Sequence, residues 1–256
     1  MSWKWLSIGL LWLAGVLPAL AQNVPATVFH FVEQEPGIDP YPVRMIVTRD
    51  YLRIDDGVDG GDFLLFERGA RRISTVNRED RTVLTLHPAP QTPDPAGRPT
   101  LGEAREDSSD MPSFQGRRPV YMRYLAGGTT CRQVVAVPGV YPEWVAAMRE
   151  YLAVLADQQV LTLDHTPPEE RSDCMLANVI YAPARHLAAG FPLREWDDRG
   201  RLRQLTGVTR QEVDSALFEL PQGLRRLRLT AHGVEPVAPP ADGQSAPAPA
   251  PPRPRK

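Results

Sequence analysis

Hydrophobic and polar side chains alternate with a period of two along the stretch from residue 42 to residue 87. Apolar residues occupy alternate positions at Val43, Met45 and Val47, and the same alternation returns at Leu52 and Ile54. Successive side chains of a β-strand point to opposite faces of the sheet, so this spacing places one apolar face against a core. The pattern therefore predicts strands.

Tight polar turns separate these short apolar runs. The segment from Asp55 to Asp62 contains Asp-Gly pairs, which accept the positive backbone angles that hairpin loops require. The run from Phe63 to Phe66 is apolar on both faces, which is typical of a strand covered on both sides. Together these features predict a meander of about five antiparallel strands joined by loops of ordinary length.

Strand-like segments continue on both sides of the meander. They are Thr27 to Val32, Val120 to Leu125, Arg132 to Val137, Phe191 to Trp196, Leu202 to Val208, Ala216 to Leu220 and Leu224 to Thr230. Turn sequences rich in glycine, proline and aspartate separate several of them. The predicted sheet therefore both opens and closes the chain.

A helix is predicted from Pro142 to Gln159, where large apolar residues recur at helical spacing. Trp144, Met148 and Leu152 belong to this stripe. Such a stripe usually packs against a core, but the same three side chains are also our candidates for contacting an apolar ligand.

A second, shorter helix is predicted after Ser172, whose hydroxyl can cap the first turn, and Pro183 limits its length. Strands with two helices between them indicate an α+β fold.

Composition divides the chain into a core domain and two segments that bury little. The 256 residues include 42% apolar side chains, which is enough for one domain over residues 22–233. Residues 88–119 are rich in proline, glycine and charge, and we predict a mobile insertion there. Residues 234–256 are rich in proline and alanine and are predicted to form a disordered tail.

The N-terminus has the parts of an export signal. Lys4 precedes an apolar run from Leu6 to Leu17, and residues 19–21 read Ala-Leu-Ala, with small residues where a signal peptidase reads them. The run is shorter than the roughly 20 residues that a membrane-spanning helix needs. We predict a signal peptide over residues 1–21 and a periplasmic protein without a transmembrane anchor.

Charge and cysteine content narrow the class of protein further. The formal net charge of -2 and the pI near 6.2 give no general attraction to nucleic acid, which favours strongly basic surfaces. Cys131 and Cys174 are an even pair in a chain predicted to be exported, and we predict a disulfide between them. A free nucleophilic thiol is the alternative that the sequence leaves open.

Motifs for the common enzyme chemistries are missing. The sequence contains no glycine-rich phosphate loop, no Gly-x-Ser-x-Gly, no His-Glu-x-x-His and no Cys-x-x-Cys. Asp56, Asp59 and Asp62 lack the ligand spacing of an EF-hand and are interpreted as part of a hairpin loop. No catalytic residue, metal or cofactor is assigned.

Three stretches carry a resemblance to a known group. Tyr51 to Leu86, Gly190 to Leu193, and Phe218 to Leu224 are similar to uncharacterised exported domains with the half-barrel fold of periplasmic lipoprotein localisation factors. The resemblance spans residues 27–230 and implies a curved antiparallel sheet covered by two or so helices. Some members of that group hold acyl chains or amphiphiles beneath the helices, although no ligand-binding residue can be transferred individually.

We therefore expect a non-enzymatic protein that binds an apolar or amphipathic, lipid-like ligand, or an envelope protein, between its sheet and the first helix. A structural or protein-interaction module of the cell envelope without a ligand cavity is the alternative. A hydrolase is the second alternative, because Asp164-His165 lies near Glu169 and Glu170, although no nucleophile is recognised beside them.

Overall fold

The computed structural model describes residues 22–89, 93–94, 97–230 and 232–237. The predicted signal peptide and most of the predicted tail lie outside these residues. The described chain is mostly sheet with helical segments packed on it, so the predicted α+β class is confirmed.

One open sheet contains thirteen strands of the described chain. The first six are β1 Asn23–Gln34, β2 Tyr41–Val47, β3 Tyr51–Asp55, β4 Phe63–Glu67, β5 Arg72–Asn77 and β6 Thr82–Leu86. The others are β7 Leu101–Glu106, β8 Val120–Ala126, β9 Thr129–Val137, β10 Phe191–Asp197, β11 Leu202–Asp214, β12 Arg225–Thr230 and β13 Gly233–Pro236. Their order across the sheet is β13-β12-β6-β5-β4-β3-β2-β1-β11-β10-β9-β8-β7, which places β1 in the interior beside β11.

One long helix, α1 (Pro142–Thr162), lies across one face of this sheet and contacts β2, β3, β5, β6 and β10. Pro142 occupies the first turn, where its missing N–H costs nothing, and Glu143 lies at the positive end of the helix dipole. The helix predicted from Pro142 to Gln159 is confirmed and ends at Thr162.

The second helical segment is short and irregular. α2 (Asp173–Met175) begins after Ser172, whose hydroxyl accepts a hydrogen bond from the Met175 amide at 3.2 Å. It continues as a π-helical segment, Leu176–Tyr181, that ends before Pro183. The predicted cap and the predicted limit are both confirmed.

The predicted meander is present as β2 to β6, in which each strand is antiparallel to the next. Ile54 of β3 lies opposite Leu64 of β4, and both pack against the core beneath α1. Phe63 and Leu65 face the other side of the sheet and join a second apolar cluster there. β4 is therefore covered on both faces, as its sequence predicts.

Residues 215–224 pack on the face of the sheet away from α1, and the sequence predicts a strand over Ala216 to Leu220 within them. Ser215–Phe218 forms a 3-10 helix instead, and the Asp214 carboxylate caps it by accepting from the Ala216 amide at 2.9 Å. The prediction of a strand at Ala216 to Leu220 is wrong, because consecutive apolar residues here pack downward onto the sheet rather than alternate.

The segment over residues 215–224 connects β11 to β12. β12 pairs with β6 in parallel orientation, with Thr82 opposite Arg225. The other ladders between described strands are antiparallel, so the sheet is mixed, and the expectation of a purely antiparallel sheet is wrong at the β6–β12 ladder.

Edge strands form where composition predicts no strand. β7, within residues 88–119, pairs with β8 at one edge of the sheet, and its Leu101 packs against the buried cluster around Cys131. β13, at the start of the predicted tail, pairs with β12 at the other edge. An edge strand needs only a few apolar contacts, so composition alone does not reveal it. The mobility of the insertion and the disorder of the tail stay predictions.

Candidate functional site

A cavity of about 450 Å³ lies between the sheet and α1. Its volume falls within the range of about 300–1,000 Å³ that is usual for small-molecule sites. Its apolar wall includes Val43, Ile54 and Leu64 of the sheet and Met148, Leu152 and Leu155 of α1. This wall can accept an apolar chain.

The three residues predicted from the sequence to contact an apolar ligand do not all line the cavity. Met148 and Leu152 line the cavity. Trp144 is only 1% exposed and lies in an aromatic cluster, with its ring centroid 5.0 Å from that of Phe191 and 6.1 Å from that of Phe31. The stripe on α1 therefore changes role along the helix, from core packing at Trp144 to cavity wall at Leu152.

Charged side chains from four adjacent strands line another part of the cavity. They are Glu33 of β1, Arg203 of β11, Glu195 of β10 and Arg132 of β9. The strand register places Arg203 directly opposite both Glu33 and Glu195. We call these four residues the charge row, and their signs alternate along it.

Distances within the charge row show that its members are paired with one another. The Nε of Arg203 donates to Glu33 Oε1 at 2.7 Å, and its Nη1 donates to Glu195 Oε1 at 3.3 Å. The Nη1 of Arg132 lies 3.6 Å from Glu195 Oε2. Arg203 is thus shared by two carboxylates, and the row is a connected network.

Glu195 and Arg203 keep their charges although both are shielded from solvent. Burial disfavours the charged form of Glu195, but the positive charges of Arg132 and Arg203 outweigh it, so the pKa of this carboxyl lies below its usual range. His186 adds to this effect only at the low pH at which its ring is protonated. Burial likewise works against the charged form of Arg203, and Glu195 and Glu33 outweigh it and raise the pKa of the guanidinium. By formal charge, the row contains two guanidiniums and two carboxylates.

His186 lies behind the charge row and is uncharged at neutral pH. Its Nε2 is 3.6 Å from Glu195 Oε2 and 3.3 Å from Arg132 Nη1, and the residue is 4% exposed. Burial and the positive charge of Arg132 lower its pKa to about 3. The ring therefore fills space beside the row without changing its charge.

Stability should fall as the pH drops below about 6.5, because the unfolded His186 takes up a proton that the folded form excludes. Because the pKa of His186 is lower in the folded protein than in the unfolded chain, its contribution to the free energy of unfolding is complete above pH 6.5. As the pH falls from 7 to 5, this free energy decreases by about 2 kcal/mol. Urea unfolding at pH 7 and pH 5 measures this loss. His186→Gln should remove this part of the pH dependence, whereas replacement of the exposed His165 by glutamine should retain it. Equal slopes in the two variants would contradict the assignment.

Two further pairs border the cavity. The Asp197 carboxylate accepts from Arg201 Nε at 2.9 Å, and the Tyr41 hydroxyl donates to Glu35 Oε1 at 2.9 Å. Tyr151 of α1 lines the cavity between the apolar wall and the charge row, and burial raises its pKa to about 12. The cavity is therefore apolar on one side and charged on the other.

The two cysteines are joined. The Cys131–Cys174 disulfide connects β9 to α2, and both residues are buried. The predicted bond is confirmed, and the alternative of a free nucleophilic thiol is excluded.

The aspartates of the loop after β3 have structural partners. Asp56 accepts from the Val58 amide at 2.9 Å, Asp59 lies 2.7 Å from Arg44, and Asp62 accepts from the Arg78 amide at 2.8 Å. In the ranges that the structure describes, no group of three or more His, Cys, Asp or Glu residues is placed to hold a metal ion.

The acid and base groups considered for a hydrolase lie at the surface. Asp164 and His165 belong to a 3-10 turn, Leu163–His165, and Glu169 and Glu170 belong to a second one, Pro168–Glu170. All four residues are exposed, and none of them lines the cavity beneath α1.

The charge row was missed from the sequence, although the sequence carries a signal for it. Glu33 continues the period-two register of Phe29 and Phe31, and Glu195 continues that of Phe191. A carboxylate in register with core-facing aromatics is unusual, because a buried charge needs a partner. That signal predicts buried carboxylates, but it does not identify Arg203 as their partner.

Comparison with known proteins gives no family for this chain. No family model and no curated protein matches it. Two crystal forms of PNGF-II are similar to 80% of the chain, with 10% and 7% sequence identity and TM-scores of 0.37 and 0.39. The match covers only 31% and 32% of the length of PNGF-II.

Among the described residues, no helix combines the length and the apolar character needed to cross a bilayer.

Proposed function

We propose that this protein binds an amphiphile, with the apolar chain of the ligand beneath α1 and its polar headgroup at the charge row. The observation that carries this proposal is the division of one cavity into an apolar wall and a charged wall. The protein would act as a non-enzymatic carrier or sensor of such molecules in the periplasm.

Burial of the chain would provide most of the affinity. Each methylene group transferred from water to an apolar wall contributes about 0.8 kcal/mol, so a few groups between Leu64 and Leu152 outweigh the ordering of a flexible tail. The charged wall would orient the ligand, because a tail directed toward Glu195 would leave ionised groups without water.

The fold and the disulfide favour this interpretation. An open sheet with α1 across one face provides a sheet surface and a helical cover between which a ligand chain can lie. The Cys131–Cys174 bond is typical of oxidising compartments, in line with the predicted signal peptide.

Native mass spectrometry of the protein purified from its own envelope would test the proposal. We expect an adduct with the mass of an intact amphiphile. Leu152→Trp, which narrows the cavity, should raise the dissociation constant for an added amphiphile at least about tenfold, the equivalent of losing contacts worth about 1.4 kcal/mol, and should lower the adduct fraction.

Val160→Trp is the matched control, because Val160 lies on α1 but not in the cavity wall. It should keep the adduct. A wild-type protein that carries no adduct and binds no added amphiphile would support the structural module without a ligand cavity, and release of cleaved products would support a hydrolase.

A further inference from the structure

The residues that line the cavity do not have a net positive charge. The carboxylates that line it are Glu33, Glu35, Glu195 and Asp197, and the guanidiniums are Arg132, Arg201 and Arg203. Four negative and three positive groups give a net charge of -1, and the neutral ring of His186 behind them adds none. An anionic ligand would therefore meet a site that is already slightly negative.

Each guanidinium already lies beside a protein carboxylate. Arg203 lies 2.7 Å from Glu33 and Arg201 lies 2.9 Å from Asp197. Arg132 lies 3.6 Å from the Glu195 carboxylate, beyond hydrogen-bond distance, and its buried Nε has no hydrogen-bond partner among the described residues. A ligand carboxylate or phosphate would have to share a cation with a protein carboxylate in a partly desolvated site, where like charges repel strongly.

The dipole of α1 does not offset the net negative charge of the cavity lining. The residues of α1 that line the cavity run from Met148 to Leu155, in the middle of the helix. Its positive N-terminal end, at Glu143, borders a separate surface groove near Arg210. The dipole acts mainly within the terminal turns, so it gives the cavity little positive potential.

We propose that the cavity selects amphiphiles with a zwitterionic headgroup over amphiphiles with an anionic one. This inference rests on the proposed function and adds the class of headgroup. A zwitterion brings one negative group for Arg203 and one positive group for Glu33 or Glu35, so each protein charge keeps a partner. An anionic headgroup can bind the guanidinium of Arg203 only by displacing the carboxylate of Glu33 or Glu195.

Isothermal titration calorimetry with two single-chain phospholipids tests the selection directly. Lysophosphatidylethanolamine is zwitterionic, and lysophosphatidylglycerol with the same acyl chain is anionic. We expect the first to bind at least about tenfold more tightly to the unmodified protein at neutral pH and low salt, and the ratio to shrink as salt rises.

The most informative variant is one that is expected to bind the anionic lipid more tightly than the unmodified protein does. Glu195→Gln removes one negative charge and releases Arg203 and Arg132, so affinity for lysophosphatidylglycerol should rise about tenfold or more. A damaged protein would not gain affinity, so the result separates charge from misfolding. Glu33→Gln frees the other side of Arg203 and serves if the first variant does not fold. Glu67→Gln, which removes a carboxylate paired with Arg72 outside the cavity, is the matched control and should change neither affinity.

The outcomes separate this inference from the proposed function. Equal affinity for both lipids, or tighter binding of lysophosphatidylglycerol to the unmodified protein, would overturn the selection and leave amphiphile binding standing. Binding of neither lipid, together with no adduct on the envelope-derived protein, would overturn the proposed function itself.

Discussion

Replacing Cys131 by serine should lower the melting temperature by on the order of 10 °C. The bond to Cys174 spans a sequence separation of 43 residues. Removing a constraint of that length from the unfolded chain costs about 4 kcal/mol, and one kcal/mol corresponds to about 2–4 °C in a domain of this size. Calorimetry of the oxidised protein measures the shift.

Cys174→Ser should give a similar loss, and the double variant should be no less stable than either single variant. All three lack the same covalent bond, so their effects do not add. A double variant whose loss equals the sum of the two single losses would show that each side chain stabilises the fold separately. Free thiols at both positions in the denatured, unreduced protein would show that the bond is absent.

Asp55→Asn should cost about 3–5 kcal/mol of unfolding free energy, because it removes one partner from a buried charge cluster. The carboxylate of Asp55 is fully buried and accepts from Arg53 Nε at 2.6 Å and from Arg44 Nε at 2.8 Å. Arg53 is itself only 2% exposed and lies over the ring of Phe63. Without the carboxylate, a buried guanidinium keeps its charge and loses its counterion.

Asp59→Asn is the matched control for this prediction. Asp59 also contacts Arg44, at 2.7 Å, but its side chain is 71% exposed. An exposed ion pair contributes about 0–1 kcal/mol, so urea unfolding should show a small change. Equal losses in the two variants would contradict the assignment of Asp55 as a buried counterion.

Local pattern predicted most of the strands because period two is a property of neighbouring residues. β2 to β6 and α1 appear where the register of Val43 or the spacing of Trp144 and Met148 places them. The 3-10 turn at Ser215–Phe218 was missed, because short apolar segments fit either a strand or a turn, and packing on the outer face decided between them.

The charge row could not be predicted, because it depends on register between distant strands. Arg203 and Glu33 are separated by 170 residues, and β11 changes register against β1 between His30 and Phe31. A shift of one residue in that pairing would turn Arg203 to the other face of the sheet. No local pattern specifies such a shift.

The interior position of β1 has a consequence for the order in which the chain can fold during its synthesis. β1 is the first strand of the sheet, yet one of its two neighbours, β11, is made only after most of the domain. The meander from β1 to β6 can pair as it emerges, but the far edge of β1 presents unpaired backbone groups beside Phe29 until β11 arrives. The sheet is therefore completed only once β11 is available, and until then β1 has an open edge of the kind that favours pairing with other chains.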